Sequence, residues 1–353
     1  MIDAIQIQSS QSSYSVNFGS TQNFNETGET FFLVDSFFES QFKGTRLNVL
    51  FVDSREENKT LESCAKVLLW LSDNGCNKNS TLAVIGGGML QDLGTMVASI
   101  FMRGISWKFY PTTLMAMLDS CIGGKSSINL GPKKNIIGNF YPPKAVFLDA
   151  RYIHSLNDAQ IAAGLCEGLK IAFAKDMQAF NEFRTGMRHV RTKEVDKLYQ
   201  FLTISIKAKK WFIEVDEFDE GPRKLLNFGH TFGHAIESST DFKIPHGIAI
   251  GIGMLIAIEF IECQPTQNIE CLRTEIRDLL SPIISEFSPI LGTVDPNVYL
   301  SAFGKDKKHN SQNYNIVVPN ENGLVIKCLN RNVQSDSRVV ETLAKTLQLL
   351  DTL

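Results

Sequence analysis

The alternation of apolar runs with one amphipathic stretch in the N-terminal part constrains the fold most strongly. Residues 30–34, 48–52 and 81–85 are apolar runs typical of buried parallel strands. Residues 59–71, between the second and third runs, place apolar side chains on one helical face. Strand, helix and strand in this order form a βαβ unit, which predicts an α/β domain with a parallel sheet.

A glycine triplet, Gly86 to Gly88, follows the third apolar run directly. Glycines at a strand end before a helix let backbone N–H groups approach a phosphate closely, and the helix N-terminus adds its dipole. The triplet lacks the G-x-G-x-x-G spacing, so a tight structural turn is the alternative. A further strand, residues 107–110, is followed by Thr112 and Thr113, whose hydroxyls could cap a helix or contact a nucleotide.

A second glycine loop places Lys125 after Gly123-Gly124, with Lys134 and Asn135 a short distance on. Lysines and an amide around a glycine loop suggest an anion cradle, although the Walker spacing is absent. A solvated basic loop is the alternative. Residues 145–149 form the last predicted strand of this part, and residues 3–8 and 13–18 read as an N-terminal hairpin.

Helical periodicity dominates from residue 151 to about residue 304. We therefore predict two domains, 1–150 and 151–353, the second containing a hairpin at 314–318 and 323–329 and a closing helix from 335. An early helix, with Asp158 as its predicted N-cap, carries Glu167 and Lys170 three residues apart on one face. An exposed ion pair is the bland alternative, but the small and apolar neighbours favour burial.

Three of the six histidines lie between residues 230 and 246. His230 and His234 are four apart, so a helix projects both imidazoles from one face, which is metal-ligand spacing. His246 begins a second predicted helix. Two imidazoles and the carboxylate of Glu167 would leave a fourth tetrahedral position open, as in catalytic zinc sites. Spacing alone leaves open which of His230 and His234 is the ligand, and a pair of hydrogen-bonded core histidines is the alternative.

Composition excludes several classes of protein. A net charge of -3 over 353 residues gives no electrostatic footprint for nucleic acid. The longest apolar run, residues 247–258, is too short to span a bilayer and is predicted to be a buried helix. The seven cysteines form no C-x-x-C pair and the N-terminus has no signal-peptide core, so we expect free thiols and a reducing cytoplasm.

Taken together, the ordered motifs across roughly residues 30–330 resemble the 3-dehydroquinate synthase family of sugar phosphate cyclases. The resemblance implies a Rossmann-like NAD domain, a helical metal-binding domain and an active site in the cleft between them. It implies NAD and a divalent metal, zinc most readily and cobalt possible, as cofactors. It also implies a small-molecule sugar phosphate substrate, 3-deoxy-arabino-heptulosonate 7-phosphate, and a homodimer.

The resemblance also assigns roles to individual residues. The metal ligands would be Glu167, His230 and His246, with His234 in phosphate contact and proton transfer. Arg103 would reach the substrate phosphate of a neighbouring subunit. The other substrate and catalytic residues would be Asp119, Lys125, Asn135, Lys170, Lys207, Arg223, Asn227 and one of Lys307 and Lys308. The NAD-binding residues would be Asp35, Glu56, Lys59, Gly86, Gly87, Gly88, Asp92, Thr112, Thr113 and Lys134.

Three residues depart from the family pattern. Ile248 stands where a Glu is usual, Phe37 where a polar NAD contact is common, and Gln91 where a Gly is usual. Loss of a carboxylate beside a ligand histidine is expected to weaken support for the metal. Arg223 favours an acid substrate, because its guanidinium suits a carboxylate. The alternatives are a cyclase acting on another sugar phosphate, such as sedoheptulose 7-phosphate, a metal- and NAD-dependent polyol dehydrogenase, and a non-enzymatic scaffold.

Overall fold

The computed structural model describes residues 2–21, 29–131, 133–261, 265–321 and 323–353. The chain forms two compact units, the first comprising Met1–Leu156 and His189–Phe218 and the second Asn157–Arg188 and Asp219–Leu353. Residues 189–218, assigned from the sequence to the second domain, therefore pack with the first unit. Cys263 lies outside the described residues; the other cysteines are free thiols, as expected.

The first unit is built on a sheet that is parallel except at one edge. Its elements include β1 (Ile5–Ile7), β2 (Tyr14–Phe18), β3 (Thr30–Asp35), β4 (Asn48–Val52), β5 (Thr81–Gly86), β6 (Ser106–Pro111), β7 (Ile128–Leu130), β8 (Lys133–Ile137) and β9 (Ala145–Leu148). Among the described residues, seven strands form the main sheet in the order β1-β2-β9-β6-β5-β3-β4, and β7 pairs with β8 separately. Among the described pairings of the main sheet, β1–β2 is antiparallel and the others are parallel.

The register of the sheet explains why its polar residues gather at one edge. Val34 pairs with Ile85, and Ile85 pairs with Tyr110. The carboxyl ends of β3, β5 and β6 therefore align, which is where open α/β sheets bind ligands. This edge carries Asp35 and the glycine triplet. The predicted parallel α/β fold is confirmed.

The helices of both units bury apolar side chains; in the first of them the buried residues are Cys64, Val67 and Leu71. In chain order they are α1 (Leu61–Asp73), α2 (Gly88–Ile100), α3 (Asp158–Lys175), α4 (Met177–Thr192), α5 (Val195–Val215), α6 (His230–Ser239), α7 (His246–Glu259), α8 (Gln267–Leu280), α9 (Ile284–Leu291), α10 (Pro296–Gly304) and α11 (Val333–Leu350). The prediction of Asp158 as N-cap of α3 was wrong: Asn157 caps the helix, and its side chain forms a capping box with Gln160.

The second unit is helical apart from a hairpin of β10 (Asn313–Asn320) and β11 (Gly323–Asn330), close to the predicted positions. Helix α7 lies at its centre and is buried from Gly247 to Ile258, as predicted. α7 packs against both α3 and α6. Among the described residues, no helix is long and apolar enough to cross a membrane.

Candidate active site

Helices α3, α6 and α7 bring together the histidines and the acid that the sequence singles out. His230 and His234 lie on one face of α6, and His246 is the first residue of α7. One ring nitrogen from each of the three histidines lies within 4.8 Å of the others. Glu167 reaches the same place from α3, with Oε1 3.5 Å from Nε2 of His246 and 3.9 Å from Nε2 of His230.

Each of the three imidazoles turns Nδ1 toward an acceptor. Nδ1 of His230 lies 3.3 Å from the Phe228 carbonyl oxygen, and Nδ1 of His234 lies 3.3 Å from Oδ2 of Asp306. Nδ1 of His246 lies 3.1 Å from Oε2 of Glu237. The hydrogen-bond network therefore favours a proton on Nδ1 and a lone pair on Nε2 in all three rings. An imidazole held in this way is suited to bind a metal ion.

The carboxylate of Glu167 has one oxygen that accepts a hydrogen bond from the described part of the chain and one that does not. It is 1% exposed, and Oε2 accepts a hydrogen bond from the Lys170 ammonium. Oε1 is buried and has no hydrogen-bond partner among the described residues. A buried carboxylate oxygen in this state costs free energy unless a cation satisfies it. Imidazole nitrogens and one carboxylate oxygen form a donor set that suits zinc or cobalt.

The histidines differ in how readily they take up a proton. Burial, followed by the nearby positive charge of Lys170, lowers the pKa of His230 well below its ordinary value. Burial also lowers the pKa of His246, but the carboxylates of Glu237 and Glu167 outweigh burial, so its pKa is raised. His230 is therefore neutral across the physiological range, with Nε2 available as a ligand.

His234 belongs to a charged cluster with Asp306 and Lys308. Oδ2 of Asp306 lies 2.7 Å from Nζ of Lys308 in addition to its contact with His234. Burial raises the pKa of Asp306, but the hydrogen bond to His234 and the charge of Lys308 outweigh burial and lower it. Lys307 is exposed. The structure thus distinguishes the two lysines: Lys308 is the one beside His234.

Arg223 and Asn227 lie on a 3₁₀ helix, Pro222–Asn227, that leads into α6. Arg223 is buried, and Asn227 is half-buried and donates from Nδ2 to the Lys224 carbonyl oxygen at 3.0 Å. Lys170 is 2% exposed, so the expected burial of the Glu167–Lys170 pair is confirmed. The second unit therefore holds two buried cationic residues of the predicted substrate set.

In the first unit, the glycine triplet forms the turn between β5 and α2. Gly87 is the N-cap of α2 and has no side chain to bind the first N–H groups of the helix. A Cβ atom at Gly87 would lie 2.9 Å from Cγ2 of Thr113, so a larger residue fits this turn only if the Thr113 side chain moves. The backbone N–H of Thr112 donates to the Gly86 carbonyl oxygen at 2.9 Å. The arrangement leaves backbone N–H groups of α2 available for an anion.

Two predicted NAD-binding residues, Lys59 and Asp92, form a hydrogen-bonded network with Ser127. Nζ of Lys59 lies 2.7 Å from Oδ2 of Asp92, and Ser127 donates to Asp92 from its backbone N–H and its hydroxyl at 3.1 Å each. Oδ1 of Asn135 lies 2.9 Å from the same hydroxyl oxygen, whose single proton either Asp92 or Asn135 can accept. Burial raises the pKa of Asp92, although Lys59 and Ser127 oppose this. Asp92 is therefore held within this network and is not a free surface charge.

Three other predicted NAD-binding residues, Glu56, Lys134 and Asp35, make contacts outside this network. Oε1 of Glu56 accepts from Asn129 at 2.9 Å and lies 3.8 Å from Nζ of Lys134. Asp35, at the end of β3, accepts from the backbone N–H of Phe37 at 3.0 Å. Phe37 itself is 68% exposed.

Lys209 is a candidate that the sequence reasoning missed. It is 5% exposed, and its Nζ lies 2.7 Å from Oδ1 of Asp119. Lys207, the predicted residue, is exposed on the other face of α5. The signal was present in the sequence, because Lys209 lies four residues after Ser205 and three before Phe212, within the buried stripe of this helix.

The remaining predicted residues lie at the surface of the first unit. Lys125 is exposed, with Nζ 5.7 Å from the centre of the Phe140 ring. Arg103 is exposed and has a positive φ of 64°. Gln91, by contrast, is buried: its Nε2 donates to the Ser120 carbonyl oxygen and its Oε1 accepts from the Ser120 hydroxyl, both at 2.6 Å. Gln91 therefore ties the first turn of α2 to the residue that follows Asp119.

The family models and the curated relatives that match this chain all point to one family. Residues 49–163 match the family model described as 3-dehydroquinate synthase N-terminal, and residues 164–309 match 3-dehydroquinate synthase C-terminal. The chain is 40% identical to 3-dehydroquinate synthase of Clostridium tetani (strain Massachusetts / E88) over 59% of this chain and 56% of the relative. It is 31% identical to 3-dehydroquinate synthase of Thermoanaerobacter sp. (strain X514) over 90% of this chain and 94% of the relative. The first of these alignments thus spans just over half of the relative.

Solved structures with a similar fold include two cyclases. 2-Deoxy-scyllo-inosose synthase complexed with carbaglucose-6-phosphate, NAD+ and Co2+ is 21% identical, with a TM-score of 0.80 over 97% of this chain and 99% of that one. 2-Epi-5-epi-valiolone synthase from Streptomyces hygroscopicus subsp. jinggangensis 5008, with NAD+ and Zn2+ bound, is 22% identical, with a TM-score of 0.79 over 99% of both. At these identities the likeness establishes the fold.

Proposed function

Because this chain belongs to the 3-dehydroquinate synthase family, we propose that it is a sugar phosphate cyclase dependent on NAD and a divalent metal. It converts 3-deoxy-arabino-heptulosonate 7-phosphate to 3-dehydroquinate and phosphate. The observation that carries this proposal is the buried Oε1 of Glu167, which faces Nε2 of His230 and His246 without a hydrogen-bond partner among the described residues. Two proteins of similar fold have been solved with NAD+ and either Co2+ or Zn2+ bound.

Glu167, His230 and His246 would hold the metal. A divalent metal there acts as a Lewis acid that polarises a carbinol oxygen of the substrate. Lys170 has a further role in this centre, since its contact with Oε2 fixes the Glu167 carboxylate and leaves Oε1 directed at the imidazoles. The neutral state of His230, which its lowered pKa favours, keeps its Nε2 lone pair available.

The first unit would hold the dinucleotide. When bound there, NAD would supply a hydride acceptor for oxidation of a substrate carbinol and, in its reduced form, a hydride donor. The N–H groups at the start of α2, after Gly86 to Gly88, would bind its phosphates. The network of Lys59, Asp92 and Ser127 would keep the neighbouring loop in place. Glu56, Thr112, Thr113 and Lys134 are the further proposed contacts, with Asp35 at the end of β3.

The substrate carries one carboxylate and one phosphate, and both require cations. Buried Arg223 suits the carboxylate, because a planar guanidinium binds a carboxylate through two parallel hydrogen bonds. Lys308 and His234 of the second unit suit the phosphate. In the first unit we propose Lys125, Asn135 and Arg103 as further contacts, and Lys209 in place of exposed Lys207, because Asp119 holds its ammonium. Asn227 would bind a substrate hydroxyl.

His234 is suited to proton transfer during loss of phosphate. Oxidation makes the C–H next to the new ketone acidic; a base removes that proton as the electron pair forms the double bond and phosphate leaves. With Nδ1 facing Asp306, the Nε2 lone pair of His234 can accept a proton, and Asp306 stabilises the resulting cation. Burial and the charge of Lys308 lower the pKa of His234, although the bond to Asp306 opposes this, so the ring starts neutral.

A cyclase acting on another sugar phosphate is the second candidate. The similarity of fold to 2-deoxy-scyllo-inosose synthase and 2-epi-5-epi-valiolone synthase favours it. A substrate without a carboxylate would have less use for the guanidinium of Arg223, whose planar group suits a carboxylate. Arg223 therefore favours the acid substrate.

The test is an assay of phosphate release with a catalytic amount of NAD. We expect phosphate from 3-deoxy-arabino-heptulosonate 7-phosphate and none from sedoheptulose 7-phosphate. Release from the second substrate alone would overturn the first proposal in favour of the second, and stoichiometric NADH accumulation would indicate a polyol dehydrogenase. Arg223→Ala should raise KM for the acid substrate and leave KM for NAD unchanged. Arg188→Ala, on α4, is the matched control.

We also propose that the enzyme is a homodimer and that it is located in the cytoplasm. Arg103 supports the first part, because its exposed side chain stands on a turn where it can reach a neighbouring subunit. The free cysteines among the described residues suit a reducing compartment. Light scattering after size-exclusion chromatography would give the mass, and the mass of one chain would contradict the dimer.

A further inference from the structure

Glu237 lies in the histidine centre without being one of the residues assigned to the metal. It is on α6 and is 8% exposed. Its Oε2 lies 3.1 Å from Nδ1 of His246, which is the first residue of the next helix. His230, His234 and Glu237 are spaced i, i+4 and i+7, so one face of α6 carries them all. Helix α6 therefore provides two imidazoles directly and also contacts the third.

We infer that Glu237 is a positioning residue that fixes the ring orientation and tautomer of His246 and thereby sets the affinity of the centre for its metal. This inference rests on the proposed function. The Glu237 carboxylate accepts the Nδ1 proton of His246, which leaves the lone pair on Nε2, 3.5 Å from Oε1 of Glu167. Without an acceptor at Nδ1, the imidazole can rotate or carry its proton on Nε2. Either change removes a ligand nitrogen from the centre.

The nature of residue 248 strengthens this assignment. The family pattern usually has a Glu at this position, and its loss was expected to weaken support for the metal. In this chain Ile248 is fully buried and offers no polar atom. The structure supplies a carboxylate to His246 from the preceding helix instead. His246 therefore has a carboxylate partner, Glu237, although residue 248 is Ile.

Electrostatics agrees with the geometry. The negative charge of the Glu237 carboxylate lies beside the His246 ring, with Oε2 3.1 Å from Nδ1. The same negative charge increases the electron density available at Nε2. Carboxylates that orient metal-binding histidines typically raise metal affinity by about 10- to 100-fold.

The experiment measures Co²⁺ affinity of the metal-free protein by competition with a chromophoric chelator. It compares the wild type with Glu237→Ala and Glu237→Gln. We expect Glu237→Ala to bind Co²⁺ about 10- to 100-fold more weakly. Glu237→Gln should fall between the two, because its amide oxygen still accepts from Nδ1 but carries no charge. The visible spectrum of bound Co²⁺ should change in Glu237→Ala if His246 leaves the coordination sphere.

Glu259→Gln is the matched control, since Glu259 lies at the other end of α7 and pairs with Arg273 at 2.9 Å. This variant should bind Co²⁺ within about two-fold of the wild type, as expected for a residue outside the coordination network. Wild-type affinity in Glu237→Ala, or equal losses in Glu237→Ala and the control, would overturn the inference. If Glu237→Ala does not fold, isosteric Glu237→Gln decides: wild-type affinity and spectrum in this variant would overturn it.

The outcome is distinguishable from failure of the proposed function. Co²⁺ binding by the wild type with an unchanged affinity in the Glu237 variants would overturn the positioning role alone. No Co²⁺ binding by the wild type would overturn the metal-dependent function, and this inference with it.

Discussion

The polar clusters of the two units differ in whether their charged side chains find hydrogen-bond or ion-pair partners within the protein. In the first unit, Lys59 pairs with Asp92, and Lys209 pairs with Asp119. In the second unit, one ring nitrogen from each of three histidines lies within 4.8 Å of the others, and Oε1 of buried Glu167 has no hydrogen-bond partner among the described residues. The first clusters hold loops in place, whereas the histidine centre has the donor set that a cation would complete.

This difference suggests how each cluster responds to mutation. A satisfied network loses stability when one partner is removed, and the loss is independent of any ligand. A centre arranged for a cation loses affinity for that cation first. Glu167 lies at the boundary between these cases, because Oε2 is bonded to Lys170 and Oε1 faces the imidazoles.

The largest effect is expected from Glu167→Gln, because it leaves the buried ammonium of Lys170 without its counter-charge. Breaking a buried ion pair in this way costs about 3–5 kcal/mol of the free energy of unfolding. Urea unfolding of the metal-free protein measures the loss. The double variant Glu167→Leu with Lys170→Met should recover most of it, since both charges are then absent. A stability of the single variant within about 1 kcal/mol of the wild type, on the order of ordinary surface substitutions, would show that Glu167 and Lys170 do not act as a buried ion pair in the metal-free protein.

A smaller effect is expected from Lys209→Ala, which removes the partner of Asp119 on α5. Loss of a hydrogen bond between charged groups costs about 1.5–3 kcal/mol. Lys207→Ala, on the exposed face two residues earlier, is the matched control and should change stability by less than about 0.5 kcal/mol. Urea unfolding and kcat should both separate the two variants. Equal behaviour of the two would reinstate Lys207 as the functional residue.

The smallest effect is expected from Asp149→Asn, and it depends on pH. Asp149 is buried and accepts from the backbone N–H of Thr21 at 2.9 Å and from Nε of Arg151 at 2.9 Å. Burial raises the pKa of Asp149, but these hydrogen bonds outweigh burial and lower it. The carboxylate therefore contributes stability that is complete above its unfolded pKa of about 3.9 and is lost as pH falls through the folded pKa.

For Asp149→Asn we expect a loss of about 1 kcal/mol at pH 7 that shrinks below pH 4. Urea unfolding of both proteins across this range measures the difference. A difference that stays constant as the pH falls would show that the charge of Asp149 contributes nothing to the network.

Local patterns predicted much of the fold. Apolar runs identified the strands of the parallel sheet, and small apolar neighbours indicated burial of Glu167. Helical periodicity identified residues 195–215 as a helix but could not tell which unit it packs with, because that depends on contacts with β1 and with residues far along the chain. The sequence therefore placed this helix in the wrong unit.

The candidate site was predictable where spacing carries the information. Histidines four apart on a helix are visible in the sequence, as is the glycine triplet. The partners that orient the histidines are harder to find: Asp306 lies 72 residues after His234. Such a carboxylate becomes recognisable only when tertiary structure brings it to an imidazole.

The distance between the helices that carry the histidines is set by their backbones. A Cβ atom at Gly253 of α7 would lie 2.1 Å from the Gly229 carbonyl oxygen and 2.6 Å from the Gly233 nitrogen. Any larger residue at position 253 would force α6 and α7 apart and take His246 away from His230. A design that aims to change metal preference should therefore alter the donor atoms and keep Gly229, Gly233 and Gly253. During evolution, these three glycines should vary less than the apolar residues around them.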